Sequence, residues 1–215
     1  MVLLSTAYFP PVEFFAVIAN GMTLSPDKVI PSVVYLEAHE NFQKQSYRNR
    51  CKFYGSEGVQ TLQVPIVHEG GTHERPIAEI KVDYSTPWIA RTEKAIASAY
   101  DSSAYFEYYK DDIFAILDSR PERLWELNLE LIRYFLKKTG IAADIRFTDK
   151  FTKNGIIDIH PKRTNTILKD LELEKPYFQV FARKHGFIPN LSIMDLLFNE
   201  GPDSILFLKK IQNLF

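Results

Sequence analysis

The sequence predicts an α/β fold, a single domain over residues 1–215 with a mixed β-sheet and with helices concentrated in the C-terminal half. Apolar, β-branched runs at residues 2–6 and 28–36 flank a helical stretch, which is typical of a β-α-β unit with parallel strands. Two further runs, at residues 46–54 and 59–67, are joined by a loop with glycine at both ends, which predicts a β-hairpin. Helical periodicity then dominates much of the later chain.

Proline marks both the first helix and the second strand. Pro10 and Pro11 stand in an expected first helical turn, where proline is tolerated, and the helix should end near Gly21. Pro31 lies within the second strand and places that strand at an edge or at a bend. After the hairpin, an alternating run at residues 77–82 predicts another strand.

Three helices are predicted next. Thr86 and Pro87 are the residue types expected at an N-cap and at the first helical position. Ser119 and Glu122 have the spacing of a capping box at the start of the third helix. The predicted elements are a helix ending at Tyr100, a helix at residues 104–117, a helix ending at Gly140, strands at 143–148 and 177–181, a long polar loop at 150–166, and short helices at 192–199 and 203–214.

Composition argues against several classes of function. The formal net charge is −1, so a general attraction to nucleic acid or to an acidic membrane is not expected. The single cysteine, Cys51, cannot form an intramolecular disulfide and fits a reducing compartment. The N-terminus has no signal-peptide pattern, and no stretch approaches the roughly 18 apolar residues that span a bilayer. We therefore expect a cytoplasmic globular protein without membrane insertion, whose oligomeric state the sequence leaves open.

The basic segment at residues 47–52 is the strongest candidate for a binding site. In a strand, Arg48, Arg50 and Lys52 would share one face, and Cys51 would point inward from the other. Three cations on a rigid element suit an anionic ligand, although the same charges are also typical of a solvated strand edge. Cys51 is then interpreted as a small buried hydrophobe rather than as a nucleophile.

Charged residues outside this segment favour the binding interpretation. Glu37, Glu40 and Lys44 lie just upstream of it. The carboxylates would hold a sugar hydroxyl or amine while the arginines hold an anion, in both cases by charge-assisted hydrogen bonds. His160 and Lys162 lie in the long polar loop, where they would face either a ligand or only solvent.

Other motifs that carry chemistry are weaker. His68 and His73 are five residues apart on a glycine-rich loop, so no regular element would hold them together as metal ligands, and a metal-dependent hydrolase is the weakest alternative. Neither a nucleophile elbow nor a Walker loop is present. Asp195 follows Ser192 by three residues, which predicts a cap at a helix start. The sequence thus predicts no metal and no cofactor.

Several segments, taken in order, resemble the WbqC-like protein family. The most specific are the Arg-Asn-Arg core of the basic segment and the motif Leu-Ser-Ile-Met-Asp-Leu-Leu-Phe-Asn near the end. The resemblance extends over nearly the whole chain, at residues 8–11, 40–51, 62–66, 88, 98–100, 159–162, 177–181 and 190–202.

The resemblance implies transfer of an acyl or amino-acyl group, such as glycine, to an amino-sugar precursor in O-antigen or lipopolysaccharide synthesis. A nucleotide-sugar would place its diphosphate on Arg48 and Arg50, and a carboxylate would deprotonate the sugar amine. We therefore expect a transferase. Its expected catalytic residues are Glu37, Glu40 and His160, and its expected substrate-binding residues are Tyr8, Lys44, Tyr47, Arg48, Asn49, Arg50, Lys162, Gln179, Asn190 and Asp195.

Two departures from the family pattern leave a second interpretation open. Many members read Gln-Pro-x-Tyr-x-Pro at the start, whereas residues 5–10 here are Ser-Thr-Ala-Tyr-Phe-Pro. A histidine that often lies four residues after the tryptophan is Thr92 in this chain. A non-catalytic protein that binds a nucleotide-sugar, or a scaffold of the same pathway, is thus the alternative to a transferase.

Overall fold

The computed structural model describes residues 2–25, 28–68, 71, 74–152 and 155–209. Its strands are β1 (Val2–Ser5), β2 (Thr23–Ser25), β3 (Lys28–Ile30), β4 (Ser32–Glu37), β5 (Arg50–Gly55), β6 (Gly58–Gln63), β7 (Ala143–Phe147) and β8 (Ile156–Ile157). Its α-helices are α1 (Val12–Gly21), α2 (Trp88–Tyr100), α3 (Phe106–Asp118), α4 (Leu124–Lys138), α5 (Ile167–Asp170), α6 (Ala182–His185), α7 (Ile193–Glu200) and α8 (Ser204–Leu208).

Four parallel strands form the central sheet, in the order β7-β4-β1-β8. The predicted β-α-β unit is confirmed, because β1 pairs with β4 in parallel and Ser5 stands opposite Glu37. Antiparallel pairing of β2 with β3 and of β5 with β6 completes the mixed α/β architecture that the sequence predicts. Since all four central strands run in the same direction, their carboxyl ends lie at one edge of the sheet.

Helix α1 connects β1 to β4 and packs its apolar side chains into the core. Phe14, Phe15 and Ile18 are buried, and Phe15 meets Phe135 of α4 edge to face, with ring centroids 6.0 Å apart. The predicted end of the helix at Gly21 is confirmed. A Cβ atom at this position would lie 2.4 Å from the Ser32 hydroxyl oxygen, so the close approach of α1 to β4 requires glycine.

The second predicted strand is divided into two. Pro31 separates β3 from β4, and β3 turns back to pair antiparallel with β2. The bend expected at this proline is therefore present, whereas the β2–β3 hairpin was not predicted.

The predicted glycine-bounded hairpin is confirmed, but its strands are shorter than expected. The β5–β6 ladder runs from Arg50 opposite Gln63 to Gly55 opposite Gly58. Residues 46–49 are turns because Gln45 has a φ of 57° and the Asn49 side-chain amide donates to the Val64 carbonyl, at 2.9 Å. Arg48 therefore precedes the strand, and the predicted alternation of Arg48, Arg50 and Lys52 along one face is wrong.

Two further predicted strands are absent from the described residues. Residues 77–82 contain a 3₁₀ turn (Ile77–Glu79), because the backbone amide of Ile77 donates to the Glu40 carbonyl instead of to a neighbouring strand. Residues 177–181 are irregular because the Gln179 side chain donates to the Ile188 carbonyl and accepts from the Ile188 amide. The Gln179 side chain thus forms the two hydrogen bonds to the Ile188 backbone that a neighbouring strand would form in a sheet.

The helices of the C-terminal half are confirmed, with corrections at their starts. The N-cap residue of α2 is Pro87, whereas the sequence predicted Thr86 as the N-cap and Pro87 as the first helical residue. The cap of α4 lies four residues beyond the predicted box, where the Glu126 carboxylate accepts from the Arg123 amide at 3.1 Å. The last helix, α8, ends at Leu208, and residues 210–214 of the predicted helix lie outside the described part of the chain.

Candidate functional site

A cavity of about 680 Å³ opens at the carboxyl edge of the parallel sheet, and we call it the edge cavity. In open α/β sheets, ligands bind outside the carboxyl ends of the strands. Ser5 ends β1, Glu40 follows β4 and Asp158 follows β8, so the strand order brings distant segments together here. The edge cavity is lined by Ser5, His39, Glu40, Asn41, Phe42, Gln43, Arg48, Phe151, Ile156, Asp158 and Arg163.

Glu40 and Arg48 form a buried bidentate ion pair in the lining of this cavity. The Arg48 Nη2 and Nε atoms donate to the two Glu40 carboxylate oxygens at 2.6 Å and 3.1 Å. The Ser5 hydroxyl accepts from Arg48 at 2.8 Å and donates to Glu40 at 3.0 Å. The side chains of Arg48 and Glu40 are only 3% and 6% exposed, so each charge depends on the other for compensation.

Backbone contacts fix Arg48 in this position. The Tyr8 amide donates to the Tyr47 carbonyl at 2.8 Å, which holds the turn against the segment after β1. The Asn128 side chain of α4 donates to the Arg48 carbonyl, also at 2.8 Å. Helix α4 and the segment after β1 thus hold the backbone of the turn that carries Arg48.

A second, exposed ion pair stands in the edge cavity. Arg163 Nη1 donates to the Asp158 carboxylate at 2.6 Å, and both side chains are about half exposed. Exposed pairs of this kind contribute little to stability and exchange partners readily. The lining of the edge cavity therefore carries two carboxylates and two guanidinium groups.

Two histidines near the edge cavity have defined tautomers. His39 lines it, and its Nε2 donates to the Thr148 carbonyl at 2.9 Å, which leaves Nδ1 as the acceptor of the neutral ring. His160 accepts from the Lys162 amide at Nδ1, at 3.1 Å, so its neutral ring carries the proton on Nε2. Partial burial, followed by the charges of Arg163 and Arg48, lowers the pKa of His160 below its ordinary value.

The carboxylate of Glu37 is fully occupied by the protein itself. It is buried and accepts from the His39 amide at 2.7 Å, the Thr148 hydroxyl at 2.9 Å and the Thr152 amide at 2.8 Å. Glu37 does not line the edge cavity. These bonds tie the segment after β7 to the end of β4.

Arg50 lies in a different cavity, of about 220 Å³, which we call the Arg50 cavity. The Lys162 ammonium contacts the Gln45 side-chain carbonyl beside it. The structure therefore separates the two arginines that the sequence analysis placed together. The Arg50 cavity is lined by Phe42, Lys44, Gln45, Asn49, Arg50, Gln63, Ile66 and His68.

Asp195 lies in a buried cluster that belongs to neither cavity. Its carboxylate accepts from the Tyr100 hydroxyl at 3.1 Å, the Tyr177 hydroxyl at 2.6 Å and the Gln179 amide at 2.7 Å. Burial raises the pKa of Asp195 to about 6, against the effect of these three donors. The predicted cap at a helix start is confirmed in Ser192, whose hydroxyl accepts from the Met194 amide at the start of α7, whereas the Asp195 carboxylate is held by the buried cluster and takes no part in the cap.

Three residues that were predicted to bind substrate make contacts within the protein: Asn190 lies at a bend, and Tyr8 and Tyr47 lie in the interior. Asn190 has a φ of 59°, and its side-chain oxygen accepts from the Glu13 amide, which caps α1. Tyr47 and Tyr8 are buried, and burial raises the pKa of both phenols. Tyr8 lies beside Thr92 in the core and lines neither cavity.

The predicted inward orientation of Cys51 is confirmed. The thiol is buried, and that burial raises its pKa well above the ordinary value. A thiol that stays protonated is a poor nucleophile, which agrees with the structural interpretation.

Of the residues that line the edge cavity, the sequence predicted only Glu40 and Arg48 as site residues, and it missed His39 among others. Four of the missed residues end or follow strands of the parallel sheet, namely Ser5, Phe151, Asp158 and Arg163. A position at or after the end of a strand is therefore the sequence signal that could have identified them. The signal was weak because β8 has only two residues and lies inside the predicted loop.

The metal interpretation finds no support among the described residues, where no group of three or more histidine, cysteine or acidic side chains could hold an ion. His73 lies outside those residues. In the same part of the chain, no helix combines the length and the apolar character needed to cross a membrane.

Comparison with known proteins gives a family but no established activity. Residues 6–175 match the WbqC-like protein family, so the match includes the basic segment and the His160 loop and ends before the Asp195 motif. "Uncharacterized protein Rv1507c" of Mycobacterium tuberculosis (strain ATCC 25618 / H37Rv) is 24% identical, with 76% of this chain and 81% of that protein covered. No solved structure matches the chain. Because this match extends over more than half of the chain, the chain belongs to the WbqC-like protein family.

Proposed function

We propose that the protein is a transferase that joins an acyl or aminoacyl group to the amine of an amino-sugar nucleotide, in the synthesis of a surface-polysaccharide precursor such as O-antigen. The observation that carries the proposal is the Glu40–Arg48–Ser5 network in the lining of the edge cavity. It supplies preorganised polar groups at the sheet edge where α/β proteins bind their ligands.

The lining of the edge cavity suits a sugar better than a phosphate. Its two guanidinium groups are already compensated by Glu40 and Asp158, so it has no excess positive charge to attract an anion. Paired carboxylate and guanidinium groups instead accept from and donate to neighbouring hydroxyl or amino groups. Phe151, which is 54% exposed, adds an apolar surface for the C–H face of a sugar ring.

Aminoacyl transfer needs a base beside the sugar amine. The amine nitrogen attacks the acyl carbon, a new C–N bond forms, the bond to the leaving group breaks, and the amine gives up a proton. Among the groups lining the edge cavity, His39 has a free acceptor at Nδ1, because its Nε2 is held by the Thr148 carbonyl. We assign the proton transfer to His39, while Glu40 anchors the sugar. His160 is not among the residues that line the edge cavity, and we assign it no step.

The test is calorimetric titration of amino-sugar nucleotides into wild type, Arg163→Ala and Arg146→Ala. Arg146 is a matched control, because it forms an equally exposed ion pair with Asp144 outside the edge cavity. We expect binding to wild type and to Arg146→Ala, and weaker binding to Arg163→Ala. Absence of heat with every sugar nucleotide, or equal affinity in the two variants, contradicts the proposal.

The second candidate is a non-catalytic nucleotide-sugar-binding or scaffold protein of the same pathway. It is favoured by Glu40, whose two carboxylate oxygens are already engaged by Arg48 and Ser5, and by Thr92, which lies in the core. Incubation of an amino-sugar nucleotide with an activated acyl donor separates the two. Formation of the amide supports the transferase, whereas binding without turnover supports the scaffold.

A further inference from the structure

We infer that the Arg50 cavity is a separate oxyanion-binding site that takes a phosphate group. The inference that a phosphate binds there stands on this cavity alone. Its extension, that the phosphate belongs to the nucleotide-sugar whose sugar enters the edge cavity, rests on the proposed function.

Arg50 is a half-buried cation whose Nε–H has no acceptor in the part of the chain that the structure describes. It is the first residue of β5, and its Nε atom is buried without an acceptor. Its guanidinium forms no ion pair with any residue in the described ranges. Removing part of its hydration without a counter-charge costs free energy, which a bound anion would recover.

The polar side chains in the lining of the Arg50 cavity are cationic or uncharged, and they stand beside the apolar Phe42 and Ile66. Lys44 is exposed at its mouth and His68 faces it from the segment after β6. None of the described lining residues is acidic, in contrast to the edge cavity with its two carboxylates. The planar fork of a guanidinium matches the oxygens of a phosphate, and the lysine adds a second positive charge.

Asn49 narrows the chemistry of the ligand further. It is 4% exposed, and its amide nitrogen is fixed as a donor to the Val64 carbonyl. Its oxygen is therefore an acceptor, and it is buried without a donor. A ligand that satisfies both Arg50 and Asn49 carries acceptor oxygens next to a hydroxyl. A singly protonated phosphate has this pair of groups, whereas sulfate has no O–H near neutral pH. The diphosphate of a nucleotide-sugar has no O–H near neutral pH either, so in that ligand a sugar or ribose hydroxyl next to the phosphate would donate to Asn49.

The two cavities are neighbours, because Phe42 forms part of the wall of both. The segment at residues 42–50 thus presents Arg48 to one cavity and Arg50 to the other. A ligand that carries a phosphate next to a sugar would occupy both, with the phosphate on Arg50 and the sugar near Glu40.

The experiment titrates inorganic phosphate, pyrophosphate and sulfate into wild type, Arg50→Met and Lys184→Met. Lys184 is a matched control, because it is a cation of α6 that contacts Ser56 and Glu57, in the turn at the opposite end of the hairpin from Arg50. We expect Arg50→Met to weaken phosphate binding at least about tenfold, as for the loss of charge-assisted hydrogen bonds, and Lys184→Met to leave it unchanged. Equal phosphate affinity in wild type and Arg50→Met overturns the inference, and equal affinity of wild type for sulfate and phosphate overturns the role of Asn49.

The same variants separate this inference from the proposed function. If phosphate binds through Arg50 but no amino-sugar nucleotide binds, the oxyanion site stands and the proposed function fails. If an amino-sugar nucleotide binds equally well to wild type and Arg50→Met but poorly to Arg163→Ala, the proposed function stands. The assignment of the nucleotide-sugar phosphate to the Arg50 cavity then fails. Thermal unfolding of each variant shows that it is folded before titration.

Discussion

Arg48 and Glu40 stand side by side as a buried ion pair, with Arg48 Nη2 and Glu40 Oε2 at 2.6 Å, although a turn separates them in the chain. The pair holds the loop after β4 against the turn before β5, and Ser5 joins it to the end of β1. It therefore organises the edge cavity as well as lining it.

Removal of one partner of this pair should be strongly destabilising. Arg48→Met leaves the Glu40 carboxylate buried and uncompensated, for which a cost of about 3–5 kcal/mol in the free energy of unfolding is expected. Urea denaturation measures it. The double variant Arg48→Met/Glu40→Gln removes both charges and should recover part of the loss. A double variant no more stable than Arg48→Met would show that the charges are not coupled as the structure indicates.

Asp195 should make stability fall as the pH rises from about 4 to 6. The pKa of its carboxyl is raised by burial to about 6 in the folded protein, from an ordinary value of 3.8. A raised folded pKa gives a contribution to stability that is complete below about pH 4 and is lost by about pH 6, because the unfolded chain releases the proton first.

The difference of about two pKa units corresponds to roughly 3 kcal/mol. Denaturation of wild type and Asp195→Asn between pH 4 and 7 isolates it, because other carboxylates contribute equally to both proteins. We expect the stability of wild type relative to the variant to decrease over this interval. A constant difference between the two would contradict the raised pKa.

Arg50→Met should fold at least as stably as wild type in the absence of ligand. The methionine keeps much of the apolar stem, and the substitution removes a partly desolvated cation whose Nε has no acceptor. Thermal unfolding in phosphate-free buffer tests this expectation, with Lys184→Met as the matched charge change. A large loss of stability confined to Arg50→Met would mean that the guanidinium supports the fold rather than a ligand.

Cys51 should resist alkylation in the native protein. Its thiol is buried and its pKa is raised by that burial, so little thiolate forms and reagent cannot reach it. Iodoacetamide at pH 8 followed by mass spectrometry should show modification only after denaturant is added. Rapid labelling of folded protein would reopen a nucleophilic role for this residue.

Much of the fold follows from local patterns. The glycines at 55 and 58 predict the turn of the hairpin, and the helical periodicity after residue 86 predicts α2, α3 and α4, because turn chemistry and amphipathicity act over a few residues. The failures are segments whose backbone partners are distant. The amide of Ile77 is taken by the Glu40 carbonyl and that of Ile188 by the Gln179 side chain, and no local pattern specifies such contacts.

The sequence by itself determined the parallel β-α-β unit, the hairpin, the inward orientation of Cys51 and the concentration of charge around residues 37–52. Only the tertiary structure decided which charge meets which partner. Strand alternation relates Arg48 to Arg50 only while both lie in one strand, and the turn at residues 46–49 ends that relationship. Arg48 is paired with Glu40 because a cation removed from water needs a counter-charge. Arg50 has no such partner among the described residues and lines a separate cavity.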